Sequence, residues 1–387
     1  MTHTGAEMNA LDQLACGSNQ WVLANALYFD SLTHRFVRGD LEIEGERIER
    51  ILPPHASDRD DCLDASELVC VPGFIDADVA IAPGEWRARS EDLVRHGVTT
   101  SGAFQRGFPE GDALSACGGV RRLVYVELDE SGQSGIETHL LEAFETPNSR
   151  CMVLPAVVPA HIWSASSLLA IASEAERLRK RLCVRLCPSH DDEREYLQTR
   201  FFTEIGLLSY LSILSGETTL FGPADVSRQD AAFIAETDVN LVCGSSLVRA
   251  ALVEHRLWTH WLNGRALAYS FDTAASHTLP QAAADIAACT SQACDAWIDA
   301  LTHGAARALG LRDLGSLASG MRADLCLYDK PASWRGGEGS AAFAELLATA
   351  RPRHVYIDGL AEVVNGMPAA ELAVAGMPDS CIANQNG

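Results

Sequence analysis

Between residues 71 and 311, short apolar runs alternate with helix-like stretches, and nothing else in the sequence restricts the fold as strongly. The runs fall at residues 123–126, 152–158, 182–186, 239–243 and 267–269; helix-like stretches include 168–180, 228–236 and 284–308. Apolar runs too short for helices, separated by amphipathic segments, predict parallel strands joined by crossover helices. A segment of this length suits an α/β architecture closed into a (β/α)8 TIM-like barrel. Alternating strand patterns flank it. Residues 22–29 and 41–51 come before, the second broken by the turn Glu44-Gly45-Glu46, and residues 323–328, 354–357 and 361–364 come after. Asp358-Gly359, between the last two, is a tight-hairpin dipeptide. The pattern predicts three parts. Residues 1–70 form a polar leader (1–20) and half of a small β-sandwich, 71–311 form the barrel, and 312–387 supply the other half of the sandwich and a tail. Residues 331–340, rich in glycine, read as an exposed loop.

Composition narrows the function classes. With 387 residues, 47% of them hydrophobic, the chain can bury a large core. Its 52 acidic residues against 30 basic ones give a net charge of -22, which disfavours nucleic acid and anionic membrane as partners. The 12 cysteines are scattered without a CxxC pair, as expected of reduced thiols in a cytoplasm. Cys183 and Cys187 read as core packing. No signal-like leader and no uncharged run of membrane-spanning length is present, so a soluble, cytoplasmic protein is expected.

Four stretches carry a family resemblance. Leu301-Thr302-His303-Gly304-Ala305-Ala306-Arg307-Ala308-Leu309-Gly310-Leu311, then Gly315-Ser316-Leu317, Gly320 and Ala323-Asp324-Leu325, resembles the end of an amidohydrolase-superfamily barrel and its return to the satellite sheet. Val71-Pro72-Gly73-Phe74-Ile75-Asp76-Ala77-Asp78-Val79-Ala80 is similar to the family's opening strand, Gly97-Val98-Thr99-Thr100 to the turn after its first helix, and residues 354–366 to its closing hairpin. The chlorohydrolase and deaminase branch is the one it most resembles. That resemblance implies a barrel with a β-sandwich from both termini, a hydrolase acting on non-peptide carbon-nitrogen bonds of a small molecule, a divalent metal such as zinc, and a homodimer.

The ligand positions implied by the resemblance are largely replaced. Asp78 and Ala80 stand where the family has two histidines on its first strand, Arg185 and Gly222 where it has histidines on later strands, and Pro188 where it has a glutamate. Asp272, in Leu267-Ala268-Tyr269-Ser270-Phe271-Asp272-Thr273, keeps the place of the final carboxylate. None of the 12 histidines occurs in a His-x-His or HExxH pattern. The nearest substitutes are His190 and His277, each more simply a surface residue. The expectation is therefore no resident cofactor, zinc being disfavoured. Residues 81–87 are all that separates Ala80 from the next helix, so the mouth is expected to be open and poorly shielded from water.

Three readings follow. In the first, the metal site has been dismantled, Arg185 forms a structural salt bridge with Asp272 first and Asp78 second, and the protein acts without the metal, or not as an enzyme but as a binding or scaffold partner of an active relative. In the second, a metal-independent enzyme uses Arg185 to hold a small anionic substrate while Asp272, Asp78 and His277 or His190 move protons. In the third, Asp78, Asp272 and one of these histidines form an unusual metal site. The first is favoured, since charge compensation needs no turnover.

Overall fold

The computed structural model describes residues 20–81, 86–106, 119–128, 150–158, 163–186, 202–222, 227–244, 266–270, 291–331, 339–369 and 371. The expected leader, most of the glycine-rich loop, Cys187, Pro188, His190, Asp272 and His277 lie outside them.

The chain opens with β1 (Gln20–Asp30), β2 (Arg35–Glu44), β3 (Arg47–Leu52), β4 (Cys62–Asp64) and β5 (Leu68–Pro72). It then crosses at Gly73 into β6 (Phe74–Asp76), followed by α1 (Trp86–Arg95), β7 (Val98–Arg106), β8 (Arg121–Glu127) and β9 (Cys151–Val157). Next come α2 (Ala165–Arg177), β10 (Leu182–Arg185), α3 (Glu204–Tyr210), β11 (Thr218–Phe221), α4 (Arg228–Glu236), β12 (Asn240–Gly244) and β13 (Leu267–Ser270). Helices α5 (Ser291–Leu301) and α6 (His303–Ala308) precede β14 (Leu325–Asp329), α7 (Ser340–Thr349), β15 (His354–Ile357), β16 (Leu360–Val364) and β17 (Met367–Pro368). The crossing at Gly73 depends on a missing side chain: a Cβ there would lie 2.3 Å from Thr99 Oγ1.

Strands β6 to β13 form an eight-stranded sheet in chain order. Their pairings are parallel throughout. The first and last strands meet as well: the Ala77 amide donates to the Tyr269 carbonyl at 3.1 Å, which closes the barrel. Strands buried on both faces explain the apolar runs of the sequence. Helices follow the same logic, with α2 burying Leu168, Ile171 and Ala175 on one side. Ser164, Thr203 and Ser227 cap the N-termini of α2, α3 and α4 by accepting from Ser167, Gly206 and Asp230 amides. Inside the barrel pack Ile75, Leu123, Tyr125, Leu154, Phe221 and Val242, and the floor is closed by Ala305, Leu309 and Leu311 of α6 and the loop after it.

Both ends of the chain build the second sheet, of nine strands, ordered β17-β16-β15-β14-β5-β1-β2-β3 with β4 alongside β1. Its centre is the antiparallel pairing of β5 with β14, Val71 opposite Cys326. The Asp358-Gly359 turn has φ of 53° and 74°, the doubly left-handed geometry that favours this dipeptide in a two-residue hairpin. Two elements depart from the sequence expectation. The helix-like stretch ending at residue 308 is interrupted at Thr302 (φ -132°, ψ -114°), so α5 and α6 are separate. The turn Gly97-Val98-Thr99-Thr100 leads straight into β7, a nine-residue strand whose first six residues are buried.

A buried ion network ties the barrel floor to the terminal sheet. Arg121, the first residue of β8, donates to Asp324 at 2.5 Å and to Asp358. Arg150 donates to Asp358 at 3.1 Å and to Glu362, and Arg322 donates to Asp358 at 2.5 Å. Burial alone would raise the Asp358 pKa, but the surrounding guanidiniums of Arg121, Arg322 and Arg150 outweigh it and hold the carboxyl below its usual range. A second joint is formed by Asp299, which accepts from His34 at 2.8 Å and lies 3.1 Å from His303.

His354, in β15, is 1% exposed, and neither ring nitrogen has a hydrogen-bond partner among the described residues. Burial, with Arg353 adding, lowers its pKa to about 4 from the ordinary 6.5. The unfolded chain thus binds the extra proton between these values, so stability is complete above about pH 6.5 and declines as pH falls through about 4, by up to about 3 kcal/mol. Replacing His354 with leucine should flatten that acid limb in urea titrations at successive pH values. An unaltered limb would show that His354 is not its source. Among the described residues, no helix is long and apolar enough to cross a membrane.

Candidate functional site at the barrel mouth

Barrel strands present side chains at their C-terminal ends, and two charged residues meet there. Arg185 is the last residue of β10, and Asp78 lies two residues beyond β6. One guanidinium nitrogen of Arg185, Nη2, is 2.6 Å from each oxygen of the Asp78 carboxylate. The pair is partly shielded, its side chains being 34% and 19% exposed. The Asp78 backbone is held on several sides. Its amide donates to Asp76 Oδ1 at 3.4 Å, its carbonyl accepts from Ser270 Oγ at 2.7 Å, and the neighbouring Val79 amide donates to Gly102 O at 2.8 Å.

Under the guanidinium lies an aromatic floor. Arg185 Cζ sits 3.8 Å from the centre of the Phe104 ring, a cation–π contact. Phe104, Tyr125 and Phe221 form a triangle with centroids 4.8 to 4.9 Å apart. These rings come from near the C-terminal ends of β7, β8 and β11, and the sequence reading misses them because nothing in the sequence links residues so far apart. Their one signal is an aromatic side chain near the end of each of three barrel strands. Tyr125 Oη donates to the Ala77 carbonyl at 2.8 Å, fixing the turn that carries Asp78. Burial pushes the Tyr125 phenol well up, with Cys183, Asp78 and Asp76 adding, so near neutrality it stays a hydrogen-bond donor.

Two other positions that the resemblance singles out are described, Ala80 and Gly222. Ala80 has no donor, and a Cβ at Gly222 (φ +70°) would meet nothing within 4 Å among the described residues. Among the described residues no group of three or more His, Cys, Asp or Glu side chains is placed to hold a metal ion. The carboxylate described at the mouth, Asp78, is engaged by a guanidinium. Of the five sequence candidates the structure joins Arg185 to Asp78; Asp272, His190 and His277 lie outside the described residues. Cys183 is wholly buried in the barrel interior, where burial pushes its thiol pKa up and keeps it an inert packing group.

A closed parallel barrel with its mouth at the strand ends, joined to a sheet woven from both termini, defines a (β/α)8-barrel protein with a terminal sheet domain. The chain belongs to the amidohydrolase family, whose match spans residues 122–361. Structures of like fold include the zinc complex of atrazine chlorohydrolase from Arthrobacter aurescens TC1, 16% identical, TM-score 0.68, covering 94% of this chain and 98% of that one. A zinc-bound adenosine deaminase from Xanthomonas campestris is 14% identical, TM-score 0.68, over 94% of this chain and 96% of that one. Guanine deaminase of E. coli is 16% identical, TM-score 0.67, over 89% and 99%. At such identities the likeness is one of fold. No curated protein matches the chain.

Proposed function

We propose that this amidohydrolase-family barrel binds a small anionic molecule at its mouth through Arg185, and that no metal-activated water takes part in what it does. The observation that carries the reading is the contact of one Arg185 nitrogen with both oxygens of Asp78, at 2.6 Å each. Asp78 stands at a ligand position of the first strand, and a guanidinium already neutralises it. A divalent ion brought within about 4 Å of that guanidinium would be repelled by several kcal/mol, even at an effective dielectric of about 20. The contacts of Arg185 use Nη2 alone among the described residues, while a guanidinium carries N–H donors on three nitrogens. With its side chain 34% exposed and its face on Phe104, Arg185 can present its other edge to a planar carboxylate.

The ancestry is that of hydrolases of non-peptide carbon-nitrogen bonds, and the protein is a metal-independent or catalytically silent member. Any turnover it retains would set Arg185 on the substrate's anionic group, with Asp272, His277 or His190 moving the proton. The zinc in two of the structural neighbours favours a second reading, a metal-dependent hydrolase using Asp78, Asp272 and His190 or His277. That reading requires Arg185 to release Asp78.

Thermal unfolding with small aromatic carboxylates, and with amino-heterocycles as the uncharged comparison, tests the proposal. A carboxylate at about a hundred times its Kd should stabilise the native protein by about 2.7 kcal/mol, raising Tm by several degrees. Arg185→Ala should abolish that rise. No rise in the native protein, or an equal rise in the variant, would count against an Arg185 pocket.

A further inference from the structure

At the opposite end of the barrel, beneath the N-terminal ends of β10 to β13, lies a cavity of about 340 Å³ whose lining includes Arg181, Arg307, Arg312, Asp238, Asn240 and Gly310. Arg181 directly precedes β10 and Arg185 ends it. At about 3.3 Å per residue, the two arginines are about 13 Å apart along the strand, so the cavity is separate from the mouth. Arg307 comes from the last turn of α6 and Arg312 from the loop after it, and Asn240 opens β12.

The cavity is positively charged in a protein of net charge -22. Three arginines line it together with one acidic residue, Asp238. Among the described residues, neither Arg307 nor Arg312 makes an ion pair. Arg181 donates from Nη1 to the Gly216 carbonyl at 2.8 Å, but the Glu217 carboxylate is 3.9 Å from Nη2, too far for a hydrogen bond. Its Nε is buried without an acceptor among the described residues. Burial depresses the Arg181 pKa; the Glu217 carboxylate opposes this in part, and the charge of Arg312 adds to it. Like charges gathered around a partly buried donor are unfavourable until an anion neutralises them. Space is left for one. Gly310 (φ +79°) borders the cavity, and a Cβ there would come within 3.0 Å of Arg181 Nε. Asn240 is fixed by its own amide, which donates to Gly216 and Thr218 carbonyls at 2.9 and 3.0 Å, and so forms a firm wall.

We propose that this floor cavity is a binding site for a phosphoryl-bearing anion. Guanidinium forks match phosphate oxygens, three of them against Asp238 and the more distant Glu217 leave a positive surplus that suits an anion, and the volume admits a phosphate with a small organic group. The proposal does not depend on what the mouth does.

Isothermal titration of the full chain with inorganic phosphate and with glycerol 3-phosphate, at ionic strength held constant by chloride, is the test. Saturable binding of either supports the site, and the ratio of their affinities tells whether the free ion or an ester is recognised. In the double variant Arg307→Ala/Arg312→Ala, affinity should drop at least tenfold with Tm unchanged, since both side chains are exposed and unpaired among the described residues. Arg185→Ala should bind as the native protein does. Absence of saturable binding, equal affinity in the double variant, or loss of binding in Arg185→Ala would each overturn the proposal.

Discussion

Replacing Asp324 with alanine should cost the folded state about 3–5 kcal/mol, the loss typical when one partner of a buried ion pair is removed. Asp324 is 3% exposed, accepts from Arg121 at 2.5 Å, and also accepts from the Asp358 amide at 2.9 Å. Removing its carboxylate leaves Arg121, itself 7% exposed, with half its counter-charge inside the joint between barrel and sheet. The joint is more than electrostatic. The Asp324 carbonyl takes the Gly73 amide at 2.9 Å, at the point where the chain crosses between the two sheets. Urea denaturation reads the effect directly. Arg106→Ala is the control: its side chain is 94% exposed, its contact with Glu127 is 3.3 Å, and its loss should change stability by less than about 0.5 kcal/mol. A cost below about 1 kcal/mol for Asp324→Ala would show that the network does not hold the two sheets together.

Gly102→Ala should destabilise by about 2–4 kcal/mol and blunt the carboxylate response of the mouth, combining overpacking with a lost buried hydrogen bond. A Cβ at this position would lie 2.0 Å from Tyr125 Oη and 2.8 Å from the Ala77 carbonyl. Tyr125 must then leave that carbonyl, and with it moves the ring on which Phe104 and Phe221 pack beneath Arg185. Tyr125→Phe removes the nearest clashing atom, the oxygen, although Cζ, 2.5 Å from that Cβ, stays and must still shift. The double variant Gly102→Ala/Tyr125→Phe should therefore be more stable than the sum of the single effects, a positive coupling measurable in a double-mutant cycle. Simple additivity would mean that the Tyr125 hydroxyl is not what Gly102 makes room for.

The barrel is legible in the sequence because its strands are buried on both faces and read as apolar runs, and the closing hairpin of the terminal sheet because Asp358-Gly359 announces its turn. β7 is harder to see. Val98-Thr99-Thr100-Ser101-Gly102-Ala103 reads as polar, yet it is buried because small residues suit close packing against Gly73 and Tyr125. Ala323-Asp324-Leu325 is visible as a family motif, but its work is done with Arg121, a residue remote in sequence that only the fold brings near. The same holds at the mouth. Family positions single out Arg185 and Asp78, whereas Phe104, Tyr125 and Phe221 gain their meaning from three strands meeting. In the floor cavity, Arg181, Arg307 and Arg312 look in sequence like ordinary solvated charges, and become a group only when α6 closes the barrel.

Zinc content is the most direct measure of whether the mouth works through Arg185 in place of a metal. Protein purified from zinc-supplemented medium and dialysed without chelator should carry far less than one equivalent by mass spectrometry, with no change in Asp272→Ala. Stoichiometric zinc that survives dialysis and disappears in Asp272→Ala would contradict it.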